Sequence, residues 1–476
     1  MVRFSLYFNF TSRPVSYYYV KFLAILSFII TVYGCKNSNT QKQVEMKKVR
    51  LIVLDPGHFH AALVQKTMYA GIDSTVNVFA PDGSDLESYL HLIERYNTRT
   101  DHPTSWKLNV NKGADYFKMF LSQKPGSLVI LAGNNKNKTE YIKNSVDAGF
   151  HVLSDKPMAI TTDGFELLKS SFESARKSNV LLYDIMTARF EITNILEREL
   201  SKSEAVFGVL EKGTAENPAI TKQSTHYFYK TVSGAPLVRP EWYFDTDQEG
   251  EGIVDVTTHL VDLVQWECFP EQVLNYENDI KIEAAKRWPT LLTLAEFSAV
   301  TKRDSFPAFL AKDIKNKVLN VFSNGEINYT IRGIHTKVSA EWKYQAPEGS
   351  ADTYFSRMRG TRANLIIRQD KEQRFKPVLY IEPAVKNNNA EYEKMLATEF
   401  QKLQEKYPGV GFRKDKTGWQ VIIPEKFNMD HEQQFEEVTK SFLMYLQQGK
   451  IPEWEVSFMK AKYYTTTEAL RTALKK

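Results

Sequence analysis

The chain has 476 residues, a formal net charge of +5 and 42% hydrophobic residues, which is enough for two domains with a substantial core. Removing the leader described next takes away Arg3, Arg13 and Lys21 and leaves about +2, too little charge to hold nucleic acid. The balanced surface that remains suits an enzyme acting on small molecules.

Residues 1–34 contain no acidic residue and run through Phe22–Val32 to Tyr33-Gly34-Cys35. The apolar run is roughly a dozen residues, short of the ~20 needed to span a bilayer, so the segment reads as a secretory signal. Val32-Tyr33-Gly34-Cys35 resembles a bacterial lipoprotein box. It implies cleavage before Cys35, lipid on its thiol, a tether over 35–48 and a protein anchored in the bacterial cell envelope, facing the periplasm or the exterior. Cys268 is the only other cysteine, so no internal disulfide is expected.

From Val49 short apolar runs alternate with amphipathic stretches, the pattern of a parallel sheet with crossover helices. Residues 49–185 are expected to form this Rossmann-like domain. Arg50–Leu54 is the first strand, followed by Asp55-Pro56-Gly57-His58-Phe59-His60 and a helix from Ala61. Strand, tight turn and helix suit a dinucleotide pyrophosphate, which makes Gly57, His58, Phe59 and His60 candidate cofactor contacts. Laid over G-x-G-x-x-G the positions read Asp55, Gly57 and His60. Only the middle glycine survives, and Asp55 sets a negative charge near phosphate. Two histidines without a third ligand nearby give no metal site.

The strand Thr75–Ala80 ends at Pro81-Asp82, where Asp82 is placed to accept from a ribose hydroxyl, although an ordinary turn aspartate explains it as well. No Arg stands beside it, which favours NAD over NADP. A further strand, Ser127–Ala132, leads through Gly133-Asn134-Asn135-Lys136-Asn137-Lys138 into a helix ending at Ala148-Gly149. Phe150–Ala159 follows, and Val180–Asp184 is the sixth strand. Lys156, at the carboxyl end of its strand, is aimed at the crevice, where an ammonium can hold a substrate hydroxyl and favour a developing alkoxide.

Residues 186–380 read as a β-rich second domain, with strands near Ala205–Glu211 and Thr225–Tyr229. After Gly250 and Gly252 a helical pattern places Asp255, His259 and Asp262 at i, i+4 and i+7, with the imidazole between two carboxylates. Such a histidine can take a proton from a hydroxyl near neutral pH, whereas a solvated helix face is the bland alternative. Arg189, Trp242, His226 and Tyr227 are candidate walls of a polyol or sugar pocket. Packing accounts equally for the first two, and alternating strand faces account better for the last two. Residues 381–476 form an extension, with a helix over Ala390–Lys406, a strand over Trp419–Ile423, a helix carrying Phe435, Val438, Phe442 and Tyr445, and a last helix over Val456–Leu474. Its apolar stripes read as packing against the sheet or a sister subunit in a homo-oligomer, without chemistry of its own.

Two segments together resemble the Gfo/Idh/MocA oxidoreductases (glucose-fructose oxidoreductase, inositol dehydrogenase and relatives). Ala132, Asn135, Ala148-Gly149, His151-Val152 and Lys156-Pro157-Met158-Ala159 match the first pattern. Asp155 replaces its Glu and Lys138 its His. Gly250, Gly252, Asp255, His259 and Asp262 match the second pattern, while Glu251 and Thr257 stand where Gly is usual. The resemblance covers about residues 49–365, up to an Arg359-Gly360-Thr361 segment. It implies a doubly wound parallel sheet, then a mixed or antiparallel open sheet. It also implies a nicotinamide cofactor contacted by Asn135, Asp155 and Lys156, and a substrate contacted by Asp262. His259 would accept the proton of a secondary alcohol, Lys156 would polarise that oxygen, and Asp255 would orient His259. The expected activity is oxidation of a sugar, glycoside or cyclitol, with a tightly bound cofactor recycled by a second substrate, because free nucleotide is scarce outside the cytoplasm. The alternatives are a glycosidase working by oxidation, elimination and re-reduction, and a non-catalytic sugar-binding lipoprotein.

Overall fold

The computed structural model describes residues 48–232, 235–384 and 389–475. The expected leader, Cys35 and nearly all of the tether lie outside these residues. No helix among the described residues is long and apolar enough to cross a membrane.

The first sheet has six parallel strands in the order β3-β2-β1-β4-β5-β6: β1 (Val49–Leu54), β2 (Ile72–Ala80), β3 (Lys107–Lys112), β4 (Leu128–Leu131), β5 (His151–Asp155) and β6 (Leu182–Ile185). Leu51–Leu54 and all of β4 are buried, as expected of central parallel strands covered by helices on both faces. The chain turns to opposite sides of the sheet after β1 and after β4, so a crevice opens beyond their carboxyl ends. The doubly wound first layer expected from the sequence is present.

The remaining strands are β7 (Ile220–Tyr229), β8 (Thr231–Val232), β9 (Ala235–Pro236), β10 (Ile280–Thr293), β11 (Ile314–Lys315), β12 (Val318–Ile331), β13 (Ile334–Gln345), β14 (Thr353–Arg359), β15 (Ala363–Gln369), β16 (Val378–Pro383), β17 (Gly411–Lys414) and β18 (Trp419–Ile422). Apart from the short β8, β9 and β11, they form a second sheet in the order β10-β12-β13-β7-β14-β15-β16-β18-β17. The β13–β7 pair is parallel and its other pairs are antiparallel, which makes the sheet mixed. The expected strand over Ala205–Glu211 does not form. Residues 204–207 are a turn tied by the Phe207 N–H to the Ser203 carbonyl, and Leu210 makes only an isolated bridge to Gly360. Val206 and Phe207 are buried in side-chain packing instead.

The helix Thr257–Cys268 lies against this sheet through Leu260, Val261 and Val264. It starts two residues after Asp255, which stands in the preceding turns. Gly252 is required there: a Cβ at that position would come 1.7 Å from the Ser323 carbonyl oxygen, so only glycine lets the loop cross β12 this closely.

The C-terminal extension packs against both layers. In the helix His431–Gln448 the expected stripe Phe435, Val438, Phe442 and Tyr445 enters the core of the first sheet. The last helix, Glu453–Leu474, puts Met459 and Tyr463 into that core and Phe458, Ala461, Ala469 and Leu470 into the core under the second sheet.

Candidate active site

Four loops meet at the crevice. The β1 turn brings Asp55–His60, the loop after β4 brings Asn134 and Asn135, the end of β5 delivers Asp155 and Lys156, and the second layer supplies residues 242–259. Lys156 is paired with Asp255, and the two side chains are 14% and 6% exposed. Burial alone would lower the lysine's pKa, but Asp255, Asp155 and Glu249 outweigh it and raise the pKa, so Lys156 remains an ammonium. An ammonium can donate a hydrogen bond and polarise an oxygen but cannot take up a proton.

His259 has the opposite character. Burial first, and then the charge of Lys156, hold its pKa well below the ordinary histidine value, so the imidazole is neutral. Its Nδ1 is buried without a hydrogen-bond partner. This corrects the expected arrangement of an imidazole held between two carboxylates, because Asp255 engages Lys156 and Asp262 is bonded by Arg189 and Lys462. An orphaned acceptor or donor in a crevice is costly unless something arrives to satisfy it.

Asp262 and Arg189 are not pocket walls. The Arg189 guanidinium binds Asp262 through two bonds of 2.6 and 2.7 Å and Glu455 at 2.8 Å, all buried. Lys462 adds bonds of 2.7 Å to Asp262 and Asp184. This network fastens the last helix to β6 and to the helix Thr257–Cys268. Burial opposes ionisation of Asp262, but Arg189 and Lys462 outweigh it and depress its pKa. His226 is also turned to other work: its Nδ1 lies 3.1 Å from Asp352 and its ring is tilted against Trp342. Neither His226 nor the buried Tyr227 lines the cavity described next, whereas Trp242 does.

Beyond the carboxyl ends of β1 and β2 lies a cavity of about 920 Å³, lined among others by Gly57, His58, Asp82, Ser84, Arg95 and Trp242. Two bridges span the crevice beside it. The Trp242 Nε1 donates to Asp85 at 2.8 Å. Asn135 donates through its backbone N–H to the Gln248 carbonyl at 2.9 Å and through Nδ2 to the Glu249 carbonyl at 2.7 Å. Lys138, which replaces the histidine usual in the resembled pattern, is buried and hydrogen-bonds Asn135 and the Asp155 carbonyl.

The cavity is large enough for part of a dinucleotide and is lined by Gly57, His58 and Asp82, whereas Asn135 and Lys156 stand outside its lining, at the ends of β4 and β5. The turn after β1 is weaker than a glycine-rich loop. The Gly57 and His58 N–H groups both donate to the Ala132 carbonyl at 3.2 Å, and the following helix, His60–Leu63, is a single turn. Asp55 and Asp85 both face the cavity. Burial raises the pKa of each, and Asp85 adds to the rise at Asp55. Gly57 is kept small by its neighbours: a Cβ would meet Asp85 at 3.0 Å and Trp242 at 3.3 Å. The sequence argument for NAD over NADP, the lack of a basic neighbour at Asp82, does not hold, because Lys112 reaches Asp82 at 2.8 Å from the end of β3.

Sequence reading missed two contributors. His431, from the extension thought to carry no chemistry, stacks on His60 with ring centroids 5.1 Å apart. Burial and His60 push its pKa down to about 3. Glu249 is buried among Asp255, Lys156 and Lys138, with its pKa raised well above the ordinary value by burial and then by Asp255. Nothing local to either residue marks it, since both acquire their surroundings only through the fold.

Residues 196–474, more than half of the chain, match the family described as "Putative oxidoreductase C terminal domain". The structure is similar to the crystal structure of "a putative oxidoreductase" from Parabacteroides merdae ATCC 43184. The two are 51% identical with a TM-score of 0.89, over 90% of this chain and 98% of that one. At fold level it is similar to an oxidoreductase structure from Thermotoga maritima, with 15% identity and a TM-score of 0.55 over 89% of this chain and 98% of that one. KijD10, a 3-ketoreductase from Actinomadura kijaniata in complex with NADP and TDP-benzene, is 15% identical with a TM-score of 0.53, over 90% of this chain and 98% of that one. No curated protein matches the chain. The chain belongs to the oxidoreductase family that this C-terminal domain defines, and its fold is of the Gfo/Idh/MocA type.

Proposed function

We propose that this oxidoreductase acts, with a nicotinamide cofactor, on a secondary hydroxyl or the corresponding ketone of a sugar, glycoside or cyclitol. The observation that carries the reading is the buried, unpartnered Nδ1 of a neutral His259, in a site where Lys156 is held as an ammonium by Asp255. A neutral imidazole can take the proton of a hydroxyl, and a fixed ammonium stabilises the oxygen as it gains charge. Asp255 is thereby assigned to Lys156 and not to His259. In the reverse direction the same groups polarise a carbonyl and return the proton. The cofactor, when bound, supplies the hydride acceptor or donor, and the residues that would hold it are Gly57, His58, Phe59, Asp82 and Asn135. Its retention rests on the Trp242–Asp85 and Asn135–Glu249 bridges more than on the phosphate turn.

Anchoring in the cell envelope through Cys35 is part of the proposal. It is supported by the leader and the lipoprotein-like box in the sequence, and it calls for a cofactor recycled on the protein. The test is a panel of sugars, glycosides and cyclitols, followed through the absorbance of the reduced nicotinamide. Wild type should turn over at least one member, while Lys156→Met and His259→Ala should each slow it by about two orders of magnitude, the size of one fixed donor or general base. Turnover unaffected by both substitutions would overturn the assignment.

A further inference from the structure

The sequence shows His58 and His60 one residue apart and no third ligand near them. The fold brings that ligand from β5. The Oδ2 of Asp155 lies 2.9 Å from His60 Nδ1 and 3.7 Å from His58 Nδ1, and one ligating atom from each residue falls within 4.8 Å of the others. Two donors on one tetrahedral ion with bonds of ~2.0–2.1 Å stand roughly 3.3 Å apart, a value that the two observed distances bracket. The rings of His58 and His60 are edge to face, with centroids 4.1 Å apart.

We propose that His58, His60 and Asp155 form a binding site for one divalent transition-metal ion at the carboxyl ends of β1 and β5. Two imidazoles and one carboxylate are the donor set that zinc and ferrous ions prefer over magnesium or calcium, and three protein ligands leave a position open for an exogenous oxygen. The ligands are held from behind, as ligating side chains generally are. Asp155 Oδ1 accepts the Lys156 N–H at 3.0 Å, and the His60 ring is packed by His431 and Phe435. The nearby cations do not occupy the carboxylate: Lys156 is paired with Asp255, and Lys138 bonds Asn135 and the Asp155 backbone carbonyl. The site does not rest on the nicotinamide reading, although it shares His58 with the residues that would hold the cofactor.

The test uses the whole chain, stripped with a chelator and titrated with Zn²⁺ and with Co²⁺ in the absence of nucleotide and sugar, so that failure of the cofactor reading leaves the result untouched. We expect one ion per chain by elemental analysis, and Co²⁺ absorption with paramagnetic shifts of the His58 and His60 ring resonances. Affinity should fall at least tenfold in His58→Ala and in His60→Ala and be unchanged in His226→Ala. A folded wild-type chain that takes up neither ion stoichiometrically, or that binds without shifting these two histidines, overturns the proposal whether or not the variants fold.

Discussion

Replacing Asp255 by asparagine should damage both stability and turnover, through Lys156. The substitution keeps the shape of the side chain but removes the charge that holds an ammonium only 14% exposed. Breaking a buried pair by removing one partner typically costs ~3–5 kcal/mol. Asp155 and Glu249 still favour the charged lysine, so the lower end, about 3 kcal/mol, is expected. With an unfolding entropy of ~2.1 cal/mol/K per residue, a chain of this length shifts by about 1 °C per kcal/mol, so the expected fall in Tm is roughly 3 °C. The linkage has a definite sign. The folded pKa of Lys156 is raised above its unfolded value, so the stabilisation is fully present below about pH 10 and is lost as pH rises through the folded value. The difference between wild type and Asp255→Asn should therefore be constant near neutrality and shrink in strong alkali. The assay is chemical and thermal denaturation of wild type, Asp255→Asn, Lys156→Met and the double variant. Removing both partners should cost much less than the sum of the single losses, with a coupling of at least about 2 kcal/mol. Single losses that simply add, or an Asp255→Asn variant within about 0.5 kcal/mol of wild type, would refute the pairing.

Three further outcomes follow from the same geometry. Lys156→Met removes a positive charge that lowers the His259 pKa, so an NMR titration should show that imidazole protonating at higher pH than in wild type; no movement would separate the two residues. Arg189→Met leaves Asp262 and Glu455 buried without their shared partner and should cost ~3–5 kcal/mol in urea denaturation, whereas a variant of normal stability with a raised KM would restore Arg189 to the substrate wall. Asp55→Asn removes a carboxylate from the phosphate turn and should tighten dinucleotide binding about tenfold, ~1.4 kcal/mol, by calorimetry; unchanged affinity would place the phosphates away from Asp55.

Periodicity carried the first layer: the apolar runs at β1, β4 and β5 appear where expected because buried parallel strands write their burial directly into sequence. The helical stripe at Phe435, Val438, Phe442 and Tyr445 was legible for the same reason. Ala205–Glu211 failed because Val206 and Phe207 are buried from a turn while Val209 stays exposed, a pattern that alternation cannot distinguish from a strand. In the site, the positions of Lys156 and His259 could be placed by resemblance, but their partners could not. Asp255, His259 and Asp262 share a helical spacing, yet the helix begins only at Thr257, and Asp262 is claimed by Arg189 and by Lys462 from the last helix. Pairings across such sequence distances, like those of His60 with Asp155 and with His431, exist only once the layers are assembled.

Mass spectrometry of the small molecules released by denaturing the purified chain, paired with nucleotide titration of the emptied protein, tests the central claim most directly. NAD or NADP should be either released in stoichiometric amount or bound saturably on addition. A chain that releases neither and binds neither would mean that Asp55, Asp85 and the one-turn helix have closed the crevice to dinucleotides, and that the Lys156–His259 site does not carry out nicotinamide chemistry.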